Sequence, residues 1–430
     1  MDAISLNDPS AFCLISGLWK GLREPLQPAS VLRSTNFRGD GSLDYSDIAE
    51  MEVESRYFED RRLRNGDILI ERSGGGPKQP VGRVAYFTAP DGRSYFTSNF
   101  TTALRVVDEK QFEPRFVELY LQALYLAGTT EALQRATTGI RNLDWQEYLK
   151  IRVPTLPIEQ QQRIAETIGG VRCAYRVEDA IIDALSDLKR VTMSTLFSRG
   201  LRAESQRESE VGDIPESWNV STIGAHFSVS SGGTPSRSEP EHWIGGTIPW
   251  VKTGEVNYCI IQATQESITS VALKRSAAKL LPAGTLLLAM YGQGITRGKV
   301  AILGIEAACN QACAAIQPNG KAVNLRFLYH YLSARYEEIR NLAHGGQQQN
   351  INLDIVRTLQ VAFPPELESQ EEIVSVLDAI DRKSDLHRRK RAVLNDLFKS
   401  LLHKLMTGEI RVADLDLSAL KATSTPEAVA

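Results

Sequence analysis

Cysteine is scarce and poorly spaced. The five residues Cys13, Cys173, Cys259, Cys309 and Cys313 are odd in number and form no C-x-x-C pair. That excludes a disulfide scaffold and leads us to expect buried free thiols in a reducing cytoplasm. Long apolar runs are also lacking. The longest, 280–289, is broken by Pro282 and Gly284 and falls short of the roughly 20 residues a membrane span needs. Met1-Asp2-Ala3-Ile4-Ser5 has neither the basic start nor the apolar core of a signal peptide. Nor is there an excess of one charge: 49 Lys and Arg stand against 52 Asp and Glu, a formal charge of −3. Nucleic acid cannot be held by bulk charge on such a chain, which leaves only local basic faces. What remains is 430 residues, 42% hydrophobic and 23% charged, the composition of a folded chain of two to three domains.

The chain repeats itself. Leu185-Ser186-Asp187-Leu188 returns as Leu394-Asn395-Asp396-Leu397, a shift of 209 that also pairs Gln161 with Gln370 and Ile164 with Ile373. Upstream the shift drifts: Asn142 matches Asn352 at 210, while Phe116, Tyr120 and Asn99 match Phe327, Tyr331 and Asn310 at 211. Gly82-Arg83-Val84-Ala85 matches Gly298-Lys299-Val300-Ala301 at 216, and Gly66 to Leu69 matches Gly284 to Leu287 at 218. Order is kept while small insertions accumulate, so a whole module has been duplicated in tandem.

Each module has two textures. The first is β-like, with short apolar runs (Ile68-Leu69-Ile70, Leu286-Leu287-Leu288) bounded by glycine-rich turns, and predicts a mixed α/β globule followed by a short helix at 116–126 or 325–342. The second is a long helix. Positions alternately four and three apart read Ile164, Ile168, Val171, Tyr175, Glu178, Ile182, Leu185, Lys189, Thr192, Leu196 in copy one. In copy two they read Ile373, Leu377, Ile380, Ser384, His387, Arg391, Leu394, Phe398, Leu401, Leu405. Seven of ten are apolar in each, which is coiled-coil spacing. The plainer alternative is two amphipathic helices, each packed on its own globule. Pro157 and Pro364-Pro365 mark the helix starts. The boundaries that follow are a first globule at 1–156, a helix at 157–202, a polar linker at 203–218, a second globule at 219–364, a helix at 365–411 and a mobile tail at 412–430.

Catalytic signatures are missing. Gly294-Ile295-Thr296-Arg297-Gly298-Lys299-Val300 has one residue too few between its glycines for a phosphate loop, and Val300 offers no magnesium ligand. Pro90-Asp91 with Asp108-Glu109-Lys110 has the letters of a metal-dependent nuclease, without a counterpart in copy two. The six histidines show no zinc spacing, and the Asn/Asp-Pro-Pro-Tyr/Phe motif of amino-methyltransferases is absent. No catalytic residue and no metal site are expected, which favours binding and geometry.

The loops carry polar and basic chemistry at matched positions. Lys252 and Thr253 correspond to Arg33 and Ser34. Tyr291, Gln293, Arg297 and Lys299 correspond to Arg72, Ser73, Lys78 and Arg83. Gln347, Gln348, Gln349 and Asn350 correspond to the segment holding Arg141. With Thr234, these are the candidate DNA-binding residues, since Arg, Lys, Gln and Asn on glycine-permitted loops reach base edges and phosphates.

Ile214-Pro215-Glu216-Ser217-Trp218, Gly232-Gly233-Thr234-Pro235-Ser236, Ile248-Pro249-Trp250-Val251-Lys252-Thr253-Gly254-Glu255 and Asn310-Gln311-Ala312 resemble the specificity subunits of type I restriction-modification systems. So do Gln370-Glu371-Glu372-Ile373 and Leu402-His403-Lys404-Leu405-Met406-Thr407-Gly408. Copy one lacks an equivalent of Ile214 to Trp218. The resemblance implies two target recognition domains separated by two long antiparallel helices. It also implies a bipartite duplex DNA target, and two methylation and two restriction subunits as partners, which carry the S-adenosylmethionine, ATP and Mg. It implies no cofactor in this chain, no membrane and a cytoplasmic location. A scaffold that reads no bases, or the recognition subunit of a bipartite-site type II enzyme, remain the alternatives. The helix at 164–198 would span about 52 Å, against roughly 34–36 Å between half-sites one DNA turn apart. Aligned end to end, Glu178 would face Arg391 and Ile182 would face His387.

Overall fold

Alternating burial along short strands builds both globules. The structure, a computed structural model, describes residues 2–18, 21, 23–75, 79–137, 140–292, 295–342 and 350–416. It divides into two units, Met1–Asp179 with Arg389–Ala430, and Ala180–Arg388. Each unit holds one globule and one half of each long helix.

In the first unit a four-stranded antiparallel sheet runs Phe12–Ser16, Thr101–Val106, Ile68–Glu71, Val84–Tyr86. Every residue of Ile68–Glu71 is buried because both faces are covered. Ile68, Ile70, Val84 and Leu104 face the helix Pro114–Leu126 and the long helices. Leu69, Ala85 and Ala103 face a second core with Leu32 and Phe37, beside a three-stranded sheet of Ala49–Glu54, Leu26–Leu32 and Tyr95–Thr97.

The second unit repeats this plan. Its main sheet runs Phe227–Ser231, Cys313–Pro318, Leu286–Ala289, Val300–Leu303, with Ile260–Ile261 added in parallel at the edge. Leu286, Leu288, Val300 and Ile316 face the helices, and Leu287, Ala289, Ala301 and Ala315 face the second core. Register makes the duplication exact to the residue: Leu14 pairs with Leu104 as Val229 pairs with Ile316, and Ile70 with Val84 as Leu288 with Val300.

Three sequence matches need correction. Ser98 donates its N–H to Leu32 as Asn310 does to Val251, so the partner of Asn310 is Ser98 and not Asn99. Gly17 matches Gly232, a pairing hidden by the drifting shift. A Cβ on Gly17 would lie 1.8 Å from the Ser98 carbonyl oxygen, and one on Gly232 would lie 2.1 Å from that of Cys309, so only glycine fits either place. Finally, Ile4 lies opposite Val153 as Val220 lies opposite Ala362. Counting back from this pair matches Trp218 to Asp2.

The long helices are Ile158–Arg199 and Leu367–Thr407. Each is followed by a left-handed glycine, Gly200 and Gly408. In the first unit Ile164, Ile168, Val171, Phe398, Leu401 and Leu405 are buried in the globule's core. In the second, Leu196, Ile373 and Leu377 are buried likewise, and Leu185 is buried. Ile182, Ile380 and Leu394 are only half-buried. The helices thus pack on their globules as well as on each other.

The two halves pair antiparallel. In the first unit Glu178 binds Lys390 at 2.7 Å, Asp179 binds Arg391, and Arg391 donates to the Tyr175 hydroxyl at 2.6 Å. These two ion pairs lie one step to either side of the end-to-end alignment, in which Glu178 faces Arg391. In the second unit Lys189 holds Asp381 at 2.6 Å.

Gln161 and Gln370 dock the helices alike. Gln161, fully buried, accepts from the Glu113 N–H and donates to the Gln111 and Leu156 carbonyls. Gln370 accepts from the Asn324 N–H and donates to the Ala322 and Pro364 carbonyls.

Other expectations also differ. The linker at 203–218 contains a hairpin, Gln206–Arg207 with Ile214–Pro215, and buries Trp218 beside Phe197 and Phe327. The helix expected at 325–342 breaks at Arg335 into Leu325–Ala334 and Tyr336–Asn341. Val412 and Leu415, expected in a mobile tail, pack against the first unit's core, and 417–430 lie outside the described residues. All five thiols are free, but only Cys309 and Cys313 are buried. Cys13 lies on an outward position of its strand and Cys173 on an outer face of its helix.

Candidate nucleic-acid interface

Polar side chains gather where several strands end. In the second unit Val251 closes a strand, Lys252 caps a short 3-10 turn, and its N–H donates to the Glu255 carboxylate at 2.7 Å. The next residue, Thr253, donates to the Asn310 amide oxygen at 2.9 Å. Thr234 donates to the neighbouring Gln311. The Met290 N–H reaches the Ala312 carbonyl at 2.8 Å and the Ile351 N–H reaches Met290 at 3.2 Å. Those two bonds bring exposed Tyr291 and Asn350 to the same end. Lys299 reaches Asn257 at 2.8 Å, and Arg297 is half-buried nearby. Gln293, Gln347, Gln348 and Gln349 lie outside the described residues.

The first unit has the same layout. Arg33 caps a 3-10 turn at the end of its strand and pairs with Asp47 at 3.0 Å. A strand at Ser73–Gly75 pairs with Ile140–Leu143, which sets Asn142 against Ser73 and brings Arg141 beside them. Ser34 stands next to Gly74. Arg72 stacks on Trp145 at 4.6 Å, half-buried. Lys78 lies outside the described residues.

Arg83 differs from its counterpart. Its guanidinium binds buried Glu71 at 2.7 and 2.8 Å and the carbonyls of Ser34 and Phe37 at 2.8 and 3.0 Å. Ala289 stands where Glu71 does, so Lys299 has no such carboxylate. Arg83 therefore holds the 34–37 turn to the sheet and presents no free cation.

One group absent from the sequence candidates adjoins this end. Arg237 stacks on Trp243 at 3.7 Å and binds Glu266 at 2.6 Å, and Lys252 binds the other Glu266 oxygen at 2.8 Å. The hydrogen bonds from Lys252 and Arg237 lower the Glu266 pKa. The Trp243 and Trp250 indoles donate to the Ser236 and Gly233 carbonyls, fixing the 233–237 loop. A signal was present: Arg237 directly follows Gly232-Gly233-Thr234-Pro235-Ser236.

Among the described residues, His330, Asp378 and Asp381 have the letters of a metal site. Their carboxylates are already engaged: Asp378 binds Arg326 and His330, each at 2.8 Å, and Asp381 binds Lys189. No helix is long and apolar enough to cross a membrane among the residues described.

A mixed α/β domain present twice, each copy closing in a polar loop cluster and rooted on paired helices, defines a duplicated recognition protein. The chain belongs to the family of the type I restriction modification DNA specificity domain, whose family model matches residues 32–172 and 215–396. It is 23% identical over 378 residues to a putative type I restriction enzyme MjaX specificity subunit of Methanocaldococcus jannaschii, covering 87% of this chain and 85% of that protein. The MjaVIII specificity subunit of the same organism is 25% identical over 311 residues, 70% of this chain and 71% of that one. Among solved structures, the type I S subunit from M. genitalium superposes with a TM-score of 0.61 at 15% identity, covering 94% of this chain and 95% of that one.

Proposed function

We propose that this chain is the non-catalytic, DNA-reading subunit of a cytoplasmic type I restriction-modification complex, with each globule reading one half of a bipartite duplex target. The carrying observation is the recurrence of one polar strand-end cluster in two separately folded copies: Arg33, Ser34, Ser73 and Arg141 in one, Lys252, Thr253, Tyr291 and Asn350 in the other. Side-chain hydroxyls, amides and cations on rigid strand ends suit base-edge and phosphate contacts. The paired helices serve as the spacer between the half-sites.

Two methylation subunits dock on the helices, and two restriction subunits complete the full complex. A repeated outer patch supports the docking. Val177, Val393 and Leu397 are exposed in the first unit, and their counterparts Leu386, Ala184 and Leu188 are exposed in the second. An apolar patch present twice suits a partner present twice. S-adenosylmethionine, ATP and Mg belong to those partners, as the family resemblance implies.

With a charge of −3, the isolated chain binds DNA weakly and gains affinity on assembly. A gel-shift titration at fixed salt, with and without the methylation subunit, checks this. Equal affinities would contradict it, and a complex that protects no two-part sequence would favour a scaffold instead.

A further inference from the structure

We propose that the two long helices carry a charge pattern that selects pairing between unlike copies and rejects pairing between like ones. In the first unit the central helix supplies the acids and the C-terminal helix the bases: Glu178 meets Lys390 and Asp179 meets Arg391. In the second unit the signs are reversed, with Lys189 on the central helix and Asp381 on the C-terminal one. Each helix is therefore complementary to the other along its length.

The duplication shows what like-with-like pairing would meet. Under the shift of 209, Arg172 stands where Asp381 does, and Phe398 where Lys189 does. Arg172 faces the Phe398 ring at 5.4 Å, and its charge is held by Glu118 from its own globule. Two central helices paired in this register would set Lys189 against Arg172 twice, and Glu178 level with Asp183. Two C-terminal helices would set Arg391 against Arg388 and Lys390 against Arg389, with Asp381 facing Phe398. Asp385 pairs with Arg388 at 2.9 Å on the same helix. Like charges directly opposed across a helix pair reject a pairing, as in coiled coils that choose partners by charge.

The pattern makes a chain close on its own second copy, so that two different globules share one helix pair. This holds whether or not the globules read DNA.

Block reversal in the full chain tests it. Glu178→Lys with Asp179→Arg makes the central helix repel the C-terminal one, and Lys390→Glu with Arg391→Asp does the same with the opposite sign. Each double variant should melt several degrees below the unaltered chain, and the quadruple variant should recover as a single-chain species. Co-expressed, the two doubles should form a one-to-one species of twice the chain mass, because each basic helix then finds an acidic one on the other chain. Light scattering after size exclusion reads the mass. Unchanged melting of the doubles, no recovery in the quadruple, or no association of the doubles would each overturn the proposal.

Discussion

Arg83 and Lys299 occupy the same place in two copies of one fold and serve different ends. The sequence shows both as cations after a turn glycine. It cannot show that Glu71, 12 residues away in the chain, lies buried under Arg83 at 2.7 Å. Arg237 was overlooked for the converse reason: its footing on Trp243 and Glu266 exists only once the loop is folded. Replacing Arg237 with Ala should remove about one phosphate contact. Over roughly 50 to 200 mM salt, the variant's affinity should then fall about 3.5-fold less than that of the unaltered chain, on specific and scrambled duplexes alike. His330 supplies a pH signature. Burial lowers its pKa below 6.5 against the pull of Asp378. Burial would raise Asp378, but the hydrogen bonds from His330 and Arg326 outweigh it and hold the carboxyl at about 2. Both folded values lie below the unfolded ones, so this stabilisation is complete above pH 6.5 and is lost as the pH falls. The melting temperature should begin to drop below pH 6.5, and His330→Gln should flatten the first part of that decline. An unchanged profile would show that His330 does not set it.

At the scale of elements, periodicity was readable because buried strands and helix stripes obey simple spacing. The apolar frame at Ile164, Ile168 and Val171 lies in the core, and the shift of 209 correctly matched Gln161 to Gln370. Helix register was legible to within a step: the ion pairs Glu178–Lys390 and Asp179–Arg391 lie one place to either side of the end-to-end alignment. The hairpin inside 203–218 was hidden by its polar composition, since few of its residues turn inward: Ile214, Pro215 and Trp218 are buried and Val211 packs beside them. Gln161→Leu should cost at least about 2 kcal/mol in chemical denaturation, because it strands a buried N–H and two carbonyls. Gln370→Leu should cost a similar amount, and a much smaller loss in either would mean water replaces the amide. Leu377→Ala, fully buried, should cost about 2–5 kcal/mol.

For the whole molecule, the duplication was the most legible feature, and it governs both fold and function. Two copies supply two reading ends, and the charge pattern on the helices keeps unlike copies together. The bases read remain hidden in the sequence, because loop side chains choose them through contacts made only on DNA. Exchanging residues 219–364 for the second recognition domain of another family member, then mapping methylated sites in the host genome, tests this account most directly. One half of the two-part target should change while the other half stays as it was. A change in both halves, or in neither, would contradict the assignment of one half-site to each globule.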